Sequence, residues 1–458
     1  MSALVASTTK AARPETPPRE PAPAPAPRPA APRPDKPPIR ARVRSVPARL
    51  RLVTTLATAL IAALCAALAL GVNAANDNLD TVGHATAPQA ATATDLYFSL
   101  ADMDAQVANV LLVGHDESVG NKQSALRQLR QRRAAVSDDL QALIDRGLDA
   151  EGATLVRQLI ADLATYDGFT AQARLSDDQI LDRDGPGRPP AQATNYYLNA
   201  TVLLHQDLLP AADRLGRAAE HRLAVSADDG ASTTRMAALA VAVLGGAAVL
   251  VLAVWQVALA RRFRRVFNPA LLAATLAVAV VTVLGAGLLT DHGDRVRDAK
   301  SQAFDPFATL AHARALASDA NADHSRYLIL PDRAPAYRAA FAEKSRALAL
   351  ASTSPPLATR LAAFQRDDRD LQTAVTSGRR EAAIGMATNV GRGNLAFEFF
   401  DYQDVLGDTA AEHRADFDQR VSDARSALDG WMVLPPLVLG VGVLLVLAGV
   451  RPRLREYR

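Results

Sequence analysis

The sequence predicts an all-α, four-span integral membrane protein with two extracytoplasmic antiparallel four-helix bundles in tandem repeat. Three observations lead there. Four apolar stretches are each of the length needed to cross a bilayer as a helix. Hydrophobic residues make up 49% of the chain but aromatics only 5%, and Ala, Leu and Arg dominate, a composition that suits helices better than strands. Between the spans, apolar positions recur at three and four residues, as at Leu126, Leu129, Ala134, Leu140 and Leu143. A net charge of +3 on 458 residues is too small to indicate a nucleic-acid binder.

Residues 1–50 hold about half of the 27 prolines and cannot bury a core, so they read as an extended, polyproline-like, disordered cytoplasmic tail. The tail is basic at its membrane end (Arg40, Arg42, Arg44, Arg49), with Arg51 at the start of the span. This reads either as an anionic-lipid anchor and topology signal or as a docking peptide for a cytoplasmic protein. The charged region is too long for a cleaved signal peptide.

The spans are residues 52–72, 236–260, 269–290 and 432–450. The lone cysteine, Cys65, lies in the first, so no intramolecular disulfide forms, and it reads as buried and inert. The flanks in 1–50, 261–268 and 451–458 are Arg-rich, which places all three, and both termini, in the cytoplasm of a plasma-membrane protein. Residues 73–235 and 291–431 then lie outside.

The first span runs, past Pro88, into a long helix ending at Gly114. Further helices are expected over about Lys122–Asp145, Ala150–Leu175 and from Thr194 into the second span, with breaks at 114–121 and 182–190. The third span runs into Ala308–Leu330. Breaks follow at 330–335, 353–356 and about 376–379, and a single long helix is expected over about Glu381–Asp429. Asp102, Ala105 and Leu111 fall opposite Asp319, Ala322 and Leu328 at one constant offset, and HQDLL (His205–Leu209) opposite YQDVL (Tyr402–Leu406), which reads as an internal repeat. A first helix of about 40 residues spans roughly 60 Å against roughly 36 Å for a middle helix of about 24. Each bundle therefore stands off the bilayer on a stalk, with its tips farthest out.

No phosphate loop, HExxH or nucleophile elbow is present, so no enzyme activity and no cofactor are expected. The eight histidines read as scattered, solvated side chains, and no metal site is expected. The spans carry almost no ionisable groups, which argues against a transporter or channel. Gly245, Gly246, Gly285, Gly287, Gly440 and Gly442 point to close helix packing, and Gln256 is the notable polar residue of its span. The candidate ligand or partner patch is Asp102, Asp104, Gln106 and Asn109 with Asp319, Asn321, Asp323, Arg326 and Tyr327. It reads either as a solvated helix face with a few partner-helix hydrogen bonds or as a site for a cationic amine or basic protein surface. The candidate cytoplasmic relay is Arg261, Arg262, Arg264 and Arg265.

The layout of a span, an outside bundle and a returning span resembles bacterial chemoreceptor sensor domains, here without a HAMP linker or output domain, so a signal must pass to a partner. From Arg40 onward the chain more closely resembles the actinobacterial GlnX-type four-span membrane proteins. That resemblance rests on four spans, both termini inside, two helical outside regions and the ALASDANADHSRYL helix (Ala315–Leu328). It implies an adaptor between an extracytoplasmic amino-acid-binding lipoprotein (GlnH type) and a cytoplasmic Ser/Thr kinase (PknG type). The alternatives are a structural envelope scaffold and a direct small-ligand sensor. A homo-oligomer is compatible with each reading.

Overall fold

The structure, a computed structural model, describes residues 46–114, 121–179, 185–263 and 269–455. The tail through residue 45, the turn residues 115–120, residues 180–184 of the second break, Arg264 and Arg265 of the relay and the last three residues of the chain lie outside these. Residues 1–51 form one unit and Leu52–Arg458 a second, compact one, to which the packing below belongs.

The helices are α1 (Val46–Asp80), α2 (Ala87–Val113), α3 (Lys122–Asp145), α4 (Ala150–Gln179), α5 (Ala191–Leu203), α6 (Leu209–Phe263), α7 (Pro269–Ala299), α8 (Asp305–Ile329), α9 (Ala334–Ala351), α10 (Pro355–Thr376), α11 (Arg380–Thr388), α12 (Leu395–Ser426) and α13 (Leu434–Arg455). No strand occurs among the described residues. The protein is all-α, as expected.

Three of the junctions are not breaks. α1 passes into α2 through a π-helical turn at Thr81–Thr86, α5 into α6 through one at Leu204–Leu208, and α7 into α8 through one at Lys300–Phe304. Each precedes a proline by two residues: Pro88, Pro210 and Pro306. Proline lacks an N–H and its ring clashes with the carbonyl four residues back, so an α-helix would kink. Here the N–H groups of Ala87, Leu209 and Asp305 reach the carbonyls five residues earlier, on Val82, Leu204 and Lys300, and the helix winds on.

The three composite helices are long and apolar enough to cross a membrane, and α13 is a shorter apolar helix. Large apolar side chains stand exposed along their apolar stretches, among them Leu70, Leu239, Val243, Leu250, Leu276 and Val283, as a lipid-facing surface requires. Cys65 is half-buried and unpaired. Gln256 donates to the Leu271 carbonyl (3.0 Å) and the Thr275 hydroxyl (2.6 Å), tying the second apolar stretch to the third. Of the six span glycines, Gly245 and Gly285 sit where helices touch: a Cβ on Gly245 would lie 2.0 Å from Thr282 Oγ1, and one on Gly285 2.9 Å from Leu68. Gly246, Gly287, Gly440 and Gly442 face open space, because close packing uses only one side of each helix.

The two helical regions pack on each other and share one hydrophobic core. α2 packs along α8, α3 and α6 close on α2, and α9 and α12 close on α8. As a result residues 98–108 of α2 and 317–329 of α8 are buried on all sides. The far end is tied across both regions by Gly187. Its N–H donates to the Leu112 carbonyl (2.9 Å), its carbonyl accepts from Arg380 (3.0 Å), and a Cβ there would meet Ile384 at 2.6 Å. Its φ of 71° adds to the demand for glycine. The expected single helix over 381–429 is in fact two, α11 and α12. Gly393 at φ 86° and the bonds between Asn389, Gly391 and Asn394 close a turn between them.

Gly245→Val must push Thr282 aside and is expected to lower stability by about 1–3 kcal/mol. Gly246→Val meets nothing and is expected to change little. Thermal unfolding of the detergent-solubilised protein distinguishes the two.

Candidate functional site

α8 alternates alanine with polar residues, so a helix buried all round must bury its polar side chains too, and each then needs a partner. The partners come from α2 across the seam. The candidate patch is therefore not a solvated face: Asp102, Asp104, Gln106, Asp319, Asn321, Asp323, Arg326 and Tyr327 are buried, and Asn109 half-buried, between the two regions.

Arg326, 2% exposed, is the hub. Its Nη2 donates to Asp104 Oδ2 (2.6 Å) on α2, and its Nη1 to Asp319 Oδ1 (3.0 Å) and Asp323 Oδ1 (2.6 Å) on its own helix. Its Nε reaches the Tyr197 hydroxyl at 3.3 Å. Asp104, fully buried, also accepts from Tyr166 (2.9 Å), Tyr197 (3.3 Å) and Thr201 (3.4 Å). Lys344 Nζ on α9 binds Asp319 Oδ2 (2.6 Å) and Asp323 Oδ2 (2.7 Å). Burial opposes the charge on Arg326, but Tyr197 and the carboxylates of Asp319, Asp104 and Asp323 outweigh it and hold the guanidinium firmly charged. Burial likewise pushes Asp319 up, yet Arg326, Lys344 and His205 hold it well below the usual carboxylate range. Burial and the charge of Asp104 push the Tyr166 and Tyr197 phenols up, so both hydroxyls remain donors.

His205 completes the cluster. Its Nε2 lies 3.2 Å from Asp319 Oδ1 and its Nδ1 2.9 Å from the Thr201 carbonyl. Both neighbours are acceptors, so both ring nitrogens must carry protons, which makes the ring an imidazolium. Burial lowers its pKa, but the hydrogen bond and charge of Asp319 outweigh this and raise it above the ordinary value. With His205 charged, three carboxylates (Asp104, Asp319, Asp323) face three cations (Arg326, Lys344, His205).

A second set of bonds crosses the seam beside it. Ser318 donates to Asp102 Oδ1 (3.2 Å), Asp102 Oδ2 binds Arg132 Nε (2.6 Å), and Gln403 donates to Ser318 (2.8 Å). Ser325 donates to Asn109 (2.8 Å), while Gln106 reaches Asp102 only at 3.5 Å. Asn321 and Tyr327 are buried alongside without joining the Arg326 cluster. The histidines are not simply solvated: besides His205, His324 is buried, 3.0 Å from Asp368 Oδ1 and packed on Phe341 and Phe364. No group of three metal-ligating side chains occurs among the described residues. Of the relay residues, Arg261 is exposed and Arg262 follows it in the last turn of α6.

Sequence reasoning missed Tyr166, Tyr197, Thr201, His205 and Lys344. Each is a single polar residue on an ordinary amphipathic helix. The one available signal was HQDLL, whose histidine is the network member.

Residues 78–228 match the model of a family described as the actinobacterial sensor domain. This segment is about a third of the chain and takes in α2 to α5 and the first part of α6. It carries Asp104, Tyr166, Tyr197 and His205, one side of the network. Over this segment the chain is similar to actinobacterial sensor proteins, which supports a sensing role. No curated protein and no solved structure matches the chain.

Arg326→Met leaves three carboxylates short of a partner and is expected to cost about 3–5 kcal/mol, read as a fall in the unfolding midpoint. The His205 contribution is expected to depend on pH. Its folded pKa is raised, so the stabilisation is present in full below the ordinary value of about 6.5 and is lost as pH rises through the folded value. The difference in melting temperature between the wild type and His205→Gln should shrink from about pH 6 to about pH 9.

Proposed function

We propose that this chain, with its actinobacterial sensor segment, is a non-enzymatic membrane sensor that receives a stimulus outside the cell and hands it to a partner inside. The observation that carries this reading is helix continuity. The helices at the polar seam, α2, α5 and α8, run through π-helical turns into the helices that hold the three long apolar stretches without a loop. A displacement at the seam is therefore carried along stiff rods into the bilayer.

On this reading there are four spans, with α13 as the last, and the Arg-rich ends lie inside. Two outside regions share one body. The stimulus is a ligand, or a ligand-loaded solute-binding lipoprotein, docking on that body. The receiver faces the loop that begins at Arg261, or the basic tail, and is a signalling protein such as a Ser/Thr kinase. The relay counts as a signal only if the receiver binds the two arrangements with different affinity. Direct sensing of a small molecule is favoured over a purely structural scaffold by one feature, an open cavity at the seam bounded by α2, α6, α8 and α9.

A photo-crosslinking residue placed at Arg261 in the full-length protein in cells, followed by mass spectrometry, tests the relay. Capture of a soluble signalling protein, with a yield that changes with extracellular nutrient, is the expected result. Capture of cell-wall or division proteins alone, at constant yield, would overturn it.

A further inference from the structure

Beside the ion-pair network, on the α6 side of the seam, lies a cavity of about 640 Å³. That is within the range of small-molecule sites, roughly 300–1,000 Å³. Four helices wall it, three of which continue into apolar stretches. Alanine and leucine make up about half of its lining, and among them is Leu350 on α9, 83% exposed, the barest large apolar side chain among the described residues.

Three polar groups line this space without a hydrogen-bond partner among the described residues. Glu220 on α6 is half-buried and forms neither a hydrogen bond nor an ion pair among the described residues. Its neighbours in the lining, Asp213 and Asp305, are already matched, the first by Arg217 and the second by Lys300 at 2.9 Å. Burial, Asp305 and Asp213 push the Glu220 carboxyl up, and Lys300 and Arg217, each paired with its own aspartate, pull it down by less. Tyr97 and His312 stack face to face (centroids 5.0 Å apart, planes at 23°) and form an aromatic wall. Neither makes a hydrogen bond among the described residues. Burial, Asp319 and Asp213 push the Tyr97 phenol up to about 12, so its hydroxyl is a donor at neutral pH.

The other side of the seam shows that this character is specific. The smaller cavity there, about 240 Å³, is lined by Arg314 and Arg414 around a single carboxylate, Asp95, with Phe98 and Phe307. On the correspondence of HQDLL with YQDVL, Asp213 and Glu220 fall opposite Ala410 and Phe417. One side of the seam is acidic and the other basic, so the two do not select the same ligand.

We propose that the cavity between α2, α6, α8 and α9 is a binding site for an organic ammonium ion with an apolar body, its charge on Glu220 and its body against Tyr97, His312 and Leu350. This rests on the sensing reading only for its biological purpose, since binding itself is measured without any signal output.

Isothermal titration of the full-length, detergent-solubilised protein with tyramine, choline and spermidine tests it, with acetate and glutamate as anionic controls. Saturable binding of at least one amine and of neither anion is expected. Tyramine or choline binding alone defines a monoamine site, whereas spermidine alone would mark a polyamine and overturn the apolar body. Glu220→Gln should weaken binding about tenfold or more. Gly216→Leu should abolish it, because Gly216 lines the cavity and a side chain there meets nothing but open space. Both variants should keep the unliganded melting temperature, and Glu220→Asp should restore part of the affinity. Binding untouched by Glu220→Gln and Gly216→Leu, or binding of the anions only, overturns the site. Amine binding at Glu220 that leaves the Arg261 crosslinking yield unchanged keeps the site and removes the relay.

Discussion

The contact on which the rest depends is the one Arg326 makes with Asp104 across the seam. Neither group can reach water, and a guanidinium does not give up its charge to escape burial. Separating the two regions would strand Arg326 with fewer acceptors and leave Asp104 with hydroxyl donors alone. Removing one partner from a buried pair costs far more than the pair itself contributes, so the halves are held in one register even though ion pairs are poor sources of net stability. This is why two helical regions that look separable along the chain share a single core.

α2 and α8 are the continuations of the first and third apolar stretches, and the π-helical turns ahead of Pro88 and Pro306 keep each helix hydrogen-bonded past its proline. The same device ahead of Pro210 joins the His205 turn to the second stretch. Between those stretches the packing is tight, with Gly245 against Thr282 and Gly285 against Leu68, so the apolar helices follow one another closely. The seam therefore sits at the head of three rods that are packed together at their far ends.

The chain announces much of this and hides the rest for physical reasons. Apolar length gives the three helices long enough to cross a membrane directly. Breaks with glycine, at 114–121 and at Gly147, fix α3 at Lys122–Asp145, and Asn121 caps it by accepting from the Ser124 N–H. The break between α11 and α12 escapes because good helix formers flank the short NVGRGN turn on both sides. The cluster on α8 is conspicuous as a set of polar residues, but helical periodicity says nothing about what covers a face. A polar stripe reads as solvent-facing unless its partners are known, and those partners lie on α2, α4, α5 and α9, far away in sequence. A lone His205 or Lys344 gives no pattern at all. What the sequence does carry is the imbalance: Asp319 and Asp323 around a single Arg326 on an alanine-rich helix is more acid than one cation can serve.

That imbalance explains why the seam is polar. A seam of alanine and leucine would weld the halves more strongly, since well-packed apolar residues commonly equal or exceed a buried ion pair in stability. It would also be indifferent to its surroundings. The seam built here counts charge: three carboxylates against Arg326, Lys344 and a histidine held protonated between Asp319 and the Thr201 carbonyl. Losing that proton leaves one buried negative charge unmatched, and Tyr97, on the wall of the neighbouring cavity, feels the charge of Asp319. A cation entering beside Tyr97 acts on the same balance. An apolar weld has one arrangement and no sensitivity to charge. A balanced ionic one holds its register while the charges match and loosens when they do not, which is the property a sensing joint between membrane helices requires.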